Sequence, residues 1–234
     1  MTISERILNF IVQGILRLIC RVDVSQLVRV PDHGPLIIVT NHVSFLEVPL
    51  IFTHLRPRPL TGFAKAETWD NPLLGWIFNV WRAIPLKRED ADMTAMRTAL
   101  EVLQEGRILA LAPEGTRSGH GRLQQAKAGV ALLALRSGAP LLPIVHIGGE
   151  VFKRNIKRLW RTDFHVIVGN PFRIEIGDRK VTAEVRQQVT DEIMYQLAAL
   201  LPEKYRGVYA DLSAATEHYL RFSDPSQNNL LHKG

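Results

Sequence analysis

The chain has 234 residues, 46% of them hydrophobic and 22% charged, enough for one large domain with a buried core and unlike a disordered chain. Its net charge of +6 points to an anionic partner: a membrane face, a phosphorylated substrate or a nucleic acid. The last is the weakest, because the basic residues are scattered and aromatics make up only 7% of the chain. The single cysteine, Cys20, excludes an intrachain disulfide and fits a reducing compartment. No Cys/His cluster has zinc spacing.

In chain order, residues 7–20 are apolar except for Asn9, Gln13 and Arg17, and Arg21 continues that four-residue spacing. On a helix these four form one polar stripe. Ile7, Leu8, Ile11, Val12, Ile15, Leu18 and Ile19 form a wide apolar face. The run falls short of the roughly 18 to 20 uninterrupted apolar residues of a spanning helix. Nor does it fit a cleaved signal peptide, since Cys20-Arg21 is no small-residue cleavage site. Residues 1–22 therefore read as an amphipathic helix at a membrane interface, with a helix docked on the domain as the alternative.

The chain then alternates. Strands are expected at residues 35–40, 59–64, 83–86, 107–112, 141–147 and 163–168. Helices are expected at 44–54, 72–81, 90–104, 124–136 and 181–201. The strands are continuous apolar runs rather than in/out patterns. This predicts a single α/β domain over residues 23–222, with a mostly parallel central sheet covered by helices. Residues 150–161 read as a basic helix with an apolar stripe, suited to an anionic lipid surface. Residues 223–234 read as a frayed polar tail.

Two strand-end loops can carry chemistry, since loops at carboxyl strand ends do so in such sheets. The first is Asn41-His42-Val43-Ser44-Phe45-Leu46-Glu47. Neutral imidazole can take a proton from a hydroxyl, and a carboxylate on its other nitrogen would orient it. Five residues apart, His42 and Glu47 can meet only if His42 precedes the helix. Ser44-x-x-Glu47 also reads as a capping box, which by spacing alone is the favoured role for Glu47. The second loop is Ala112-Pro113-Glu114-Gly115-Thr116-Arg117-Ser118. Its Gly allows close approach to an anion, and Arg117 offers a planar fork for phosphate. Arg88, Lys65 and Lys127 are further cationic candidates. There is no G-x-S-x-G elbow, Walker A loop, G-x-G-x-x-G or H-E-x-x-H.

Together these loops resemble the glycerolipid acyltransferase family that includes the 1-acyl-sn-glycerol-3-phosphate acyltransferases. The family's Asn-His-x4-Asp motif appears as residues 41–47, and its Phe-Pro-Glu-Gly-Thr-Arg-Ser motif as residues 112–118. A motif ending in Arg matches residues 83–88, and a Pro-containing apolar strand matches residues 139–144. Lys65-Ala66-Glu67 and Lys127-Ala128-Gly129 match minor signatures. Glu47 stands where Asp is usual, Arg82 where Gly is common, Lys87 where Asp is common and Ala112 where an aromatic is usual. The resemblance implies transfer of a fatty acyl group from acyl-CoA or acyl carrier protein to the 2-hydroxyl of 1-acyl-sn-glycerol-3-phosphate, with no metal or bound cofactor. It implies His42 as base, Glu47 as its partner (Glu67 being the alternative), and Arg88, Glu114, Gly115, Thr116 and Arg117 at the substrate. It also implies a membrane-associated protein on the cytoplasmic face. Another lysolipid acceptor, such as a lyso-ornithine lipid or a glycolipid, and a catalytically silent membrane-binding relative are the competing readings.

Overall fold

The computed structural model describes residues 2–87 and 92–231. In chain order its elements are α1 (Ile3–Ile19), β1 (Cys20–Asp23), β2 (Leu36–Thr40), α2 (Glu47–His54), β3 (Leu60–Lys65), α3 (Pro72–Val80), β4 (Ile84–Leu86) and α4 (Met93–Gln104). They continue with β5 (Ile108–Leu111), α5 (Gly129–Ser137), β6 (Leu141–Ile147), α6 (Phe152–Lys157), β7 (Thr162–Val168), β8 (Arg173–Ile174), α7 (Ala183–Leu200) and β9 (Leu220–Arg221). Seven strands form one sheet in the order β1-β7-β6-β2-β5-β3-β4, and β8 pairs with β9 apart from it. Strands β6, β2, β5, β3 and β4 are mutually parallel, and β7 runs antiparallel to β6. This is the expected mostly parallel sheet.

Burial on both faces explains the continuous apolar strands. Along β2, Ile37 and Val39 pack with α4, α5 and α7, whereas Leu36 and Ile38 pack with α1 and α2. The sheet is thus the middle of three layers, with the end of β2 at its centre.

Helix α1 begins at a capping box: Glu5 N–H donates to Thr2 Oγ1 (3.2 Å) and Thr2 N–H to Glu5 Oε2 (2.6 Å). Its inward side is the mixed one. Leu8, Leu16, Val12 and Ile19 pack against α2 and the sheet. Between them Glu5 approaches Arg56 at 3.9 Å, Trp81 Nε1 donates to Asn9, and Gln13 donates to the Thr53 carbonyl. The outward side carries Ile3, Ile7, Phe10, Ile11 and Leu18, all exposed. The expected stripe is therefore split: Asn9 and Gln13 face the protein, whereas Arg17 is exposed together with the outward apolar residues.

Several boundaries differ from the sequence reading. Strand β1 is an addition that pairs with β7, so a domain boundary at residue 22 falls inside the sheet. Helix α2 starts at Glu47 rather than residue 44, and α5 at Gly129 rather than residue 124. The basic helix is only residues 152–157, preceded by a 3-10 turn. The last polar residues are not frayed over 225–231. Asn229 is buried, donates to the Asn170 carbonyl and Gln196 Oε1, and accepts from Asn170 N–H. A polar segment can dock when its amides find partners. Among the described residues no helix is long and apolar enough to cross a membrane.

Candidate active site

Strands β6, β2 and β5 lie side by side and parallel, so their carboxyl ends deliver three loops to one edge of the sheet. Asn41 ties two of them. Its Nδ2 donates to the His146 carbonyl (2.9 Å) and its Oδ1 accepts from His146 N–H (2.8 Å), extending the β2–β6 pairing by a side chain.

His42 follows in the loop before α2. Its Nδ1 lies 3.2 Å from Glu47 Oε2. A carboxylate only accepts, so in this contact Nδ1 carries the proton and Nε2 keeps its lone pair. Glu47 is buried, and its oxygens also accept from Ser44 N–H (2.8 and 3.0 Å) and Ser44 Oγ (2.8 Å). One carboxylate thus serves both His42 and Ser44, but Ser44 does not cap the helix as the spacing suggested: residues 44–46 bend ahead of α2, whose cap residue is Leu46. That bend lets the longer Glu side chain fold back to His42. Glu67 pairs instead with Lys65 at 2.9 Å, both half exposed, and is not the partner of His42.

The loop after β5 is fastened to the His42 loop. Ser118 N–H donates to the His42 carbonyl (2.8 Å) and Gly119 N–H to the Val43 carbonyl (3.1 Å). Glu114 was expected at the substrate, but its carboxylate is buried and engaged. Oε1 accepts from His42 N–H (2.8 Å), and Oε2 from Gln124 N–H (2.9 Å). Burial raises its pKa, opposed by these bonds. Glu114 therefore shapes the loop and holds the His42 backbone. Gly115 has φ +70°, and a Cβ there would lie 3.3 Å from the Lys127 side chain. Thr116 and Arg117 are exposed, and Arg117 has no hydrogen bond or ion pair among the described residues. Arg88 lies outside the described residues. Arg82, where a Gly would be usual, has φ +56°, the left-handed conformation that favours Gly.

Two residues went unremarked in the sequence. His146 on β6 is fully buried beside Phe164, and neither ring nitrogen has a partner. Desolvation lowers its pKa to about 4; the charge of Glu47 opposes this shift and that of His42 adds to it, both as smaller influences. It is a neutral wall of the site. Gly149 packs against the dyad: a Cβ there would lie 3.0 Å from Ser44 Oγ and 3.1 Å from Glu47 Oε1. A cavity of about 70 Å3 opens beside His42 and Glu47, walled by Ile51, Phe52, Gly62 and Phe63. A larger groove of about 680 Å3 along α7, lined by Glu184, Asp191, Glu192 and Tyr209, meets the loop after β5 at Gln125 and does not include His42 or Glu47. No group of three or more metal-ligating side chains occurs among the described residues.

A buried carboxylate holding a histidine at the carboxyl edge of a parallel sheet, with an exposed arginine on the neighbouring loop, is an arrangement that could serve general-base chemistry. The chain belongs to the acyltransferase family, whose model matches residues 21–147. It is 32% identical over 157 residues to a chloroplast 1-acyl-sn-glycerol-3-phosphate acyltransferase of Brassica napus, covering 64% of this chain and 45% of that protein. It is 31% identical over 183 residues to a lyso-ornithine lipid O-acyltransferase of Pseudomonas aeruginosa, covering 70% of each. The crystal structure of a 1-acyl-sn-glycerophosphate acyltransferase from Thermotoga maritima shares the fold, with a TM-score of 0.56 at 22% identity over 82% of this chain and 80% of that one. The chain spans less than half the length of the Brassica napus and Arabidopsis thaliana chloroplast proteins, 45% and 36%.

Proposed function

We propose that the protein transfers a fatty acyl group from a thioester, acyl-CoA or acyl carrier protein, to the 2-hydroxyl of 1-acyl-sn-glycerol-3-phosphate at a membrane surface. The observation that carries this reading is the 3.2 Å contact between His42 Nδ1 and Glu47. His42 Nε2 takes the hydroxyl proton as the oxygen attacks the thioester carbon. Glu47 holds the ring in the productive tautomer and stabilises the imidazolium. The tetrahedral intermediate collapses, the C–S bond breaks, and the imidazolium returns its proton to the departing thiolate. Arg117, with Arg88 as a second cation, binds the acceptor's phosphate on the loop that Glu114 and Gly115 shape and Thr116 lines. The outward apolar side of α1 rests in one leaflet, bringing the acceptor to His42 without leaving the bilayer.

The 3.2 Å contact between Glu47 and His42 supports an intact dyad over a silent relative. The acceptor has a second reading, because the Pseudomonas protein matched over 70% of both chains acts on lyso-ornithine lipid. Thiol release from acyl-CoA and from acyl carrier protein, with either lysolipid, tests both. Acceptor-dependent release that falls on the order of a hundredfold or more in His42→Ala, and substantially in Glu47→Gln, is expected. Release only with lyso-ornithine lipid would replace the acceptor. Release unaffected by His42→Ala would end the mechanism.

A further inference from the structure

The segment after β6 is longer on charge and apolar exposure than packing needs. Lys153, Arg154, Lys157 and Arg158 are exposed, and none is ion-paired among the described residues. Helix α6 ends in a left-handed turn in which Leu159 N–H donates to the Ile156 carbonyl and Trp160 N–H to the Asn155 carbonyl. Leu159 sits at the position of that turn where Gly is usual, with φ +56°. A leucine there is strained, yet its side chain is 91% exposed, and Trp160 next to it is 60% exposed. Neither residue is justified by the core. Arg158 stacks over Trp160 at 5.3 Å.

Two contacts tie this tip to the rest of the proposed membrane face. The Arg161 guanidinium donates to the Arg17 and Cys20 carbonyls, both at 2.7 Å, fixing the tip to the end of α1 beside the exposed Leu18. At the other end of α6, Phe152 packs edge-on against Phe45 of the His42 loop at 5.4 Å. We infer that residues 153–161 dock the protein on an anionic lipid surface: Leu159 and Trp160 enter the interface, and Lys153, Arg154, Lys157 and Arg158 read its charge. An acidic protein such as an acyl carrier would match the cations but not an exposed Leu-Trp tip continuous with the apolar side of α1. Lipid is therefore the occupant these residues fit.

The inference rests on the membrane part of the functional reading, so its test uses binding rather than turnover. The full chain is floated with vesicles of phosphatidylcholine, with and without about one-third phosphatidylglycerol, at low and high salt. Wild type should prefer the anionic vesicles at low salt. The triple variant Lys153→Gln/Lys157→Gln/Arg158→Gln should lose more than about tenfold of that binding and keep its binding to neutral vesicles. Leu159→Gly should weaken binding to both vesicles several-fold while leaving Tm unchanged or higher, because Gly relieves the left-handed strain. A structural Leu159 would lower Tm instead. Equal anionic binding by wild type and the triple variant overturns the inference. So does lipid-free binding of acyl carrier protein that the triple variant abolishes while vesicle binding persists. Anionic docking by a protein that releases no thiol in the acyl-transfer assay would leave the docking standing and remove the activity.

Discussion

At the scale of single residues, the site depends on how closely a backbone approaches the dyad. Glu47 accepts from Ser44 N–H, Ser44 Oγ and His42 Nδ1 at once. It can do so only because Gly149 leaves its side empty. An added methyl at Gly149 would lie 3.0 to 3.1 Å from Ser44 Oγ, Glu47 Oε1 and Phe164 Cε2, tighter than an unstrained contact, and Glu47, though a longer side chain, is buried and held by its bonds to His42 and Ser44. Gly149→Ala should therefore shift the carboxylate and cost roughly 1 to 3 kcal/mol of stability by overpacking. The kinetic signature is a lower kcat with KM little changed, since Gly149 packs on Ser44 and Glu47 and is not itself among the proposed phosphate-binding residues. A Gly149→Ala enzyme with wild-type kcat at full occupancy would show that the dyad tolerates the displacement.

At the scale of elements, what was legible followed from burial on two faces. β2, β5 and β6 are buried nearly throughout, so their continuous apolar runs mark a parallel sheet. The His42–Glu47 pairing was legible only with the motif, because Ser44-x-x-Glu47 also spells a helix cap. The start of α5 was not legible, since residues 124–128 read as helical. Their backbone is claimed by distant groups: Gln124 N–H by Glu114, Ala126 N–H by Tyr209 and Lys127 N–H by Pro113. Four-residue β1 was hidden because only Cys20 of it is buried. Helix α1 was readable as amphipathic but not as to which side faces the protein. With Glu5 and Gln13 bonded inward and Asn9 turned inward to accept from Trp81 Nε1, its outer side is the more apolar one, the side that the proposed membrane contact would use. Deleting residues 1–22 would also strip β1 from the sheet and leave Arg56 unpaired, confusing docking with folding. Ile7→Ser/Phe10→Ser/Leu18→Ser changes only exposed side chains. It should leave Tm nearly unchanged and reduce vesicle binding by more than tenfold at about 25 cal/mol per Å2 of apolar area. Undiminished binding would place the membrane contact elsewhere.

At the scale of the whole molecule, the chain's last third holds the catalytic loops in place. Tyr205 donates its hydroxyl to Glu150, whose other oxygen accepts from Gly148 N–H, and the Tyr205 carbonyl accepts from Leu123 N–H. The loops after β5 and β6 are thus clamped by the segment following α7. Inside that clamp His146 couples stability to pH. Its ring lies beside Phe164, feels the charges of Glu47 and His42, and is held neutral, with a pKa of about 4 against the ordinary 6.5. Between those values the unfolded chain binds the extra proton and the folded chain does not, so stability rises with pH across this window. It is lost on acidification from about 6.5 to 4, on the order of 3 kcal/mol in all. Glu114, with its pKa raised by burial, acts in the opposite sense at its own titration. The exposed aspartates with lowered values, Asp23 and Asp163 among them, add acid sensitivity of their own. A comparison of wild type with His146→Leu cancels these shared contributions. Denaturant unfolding at a series of pH values should show the wild-type curve steeper between pH 4 and 6.5, with the variant gaining relative stability as the pH falls. Parallel curves would mean that the imidazole finds a partner in solution that lets it charge while folded, and the neutral wall beside Glu47 would have to be given up.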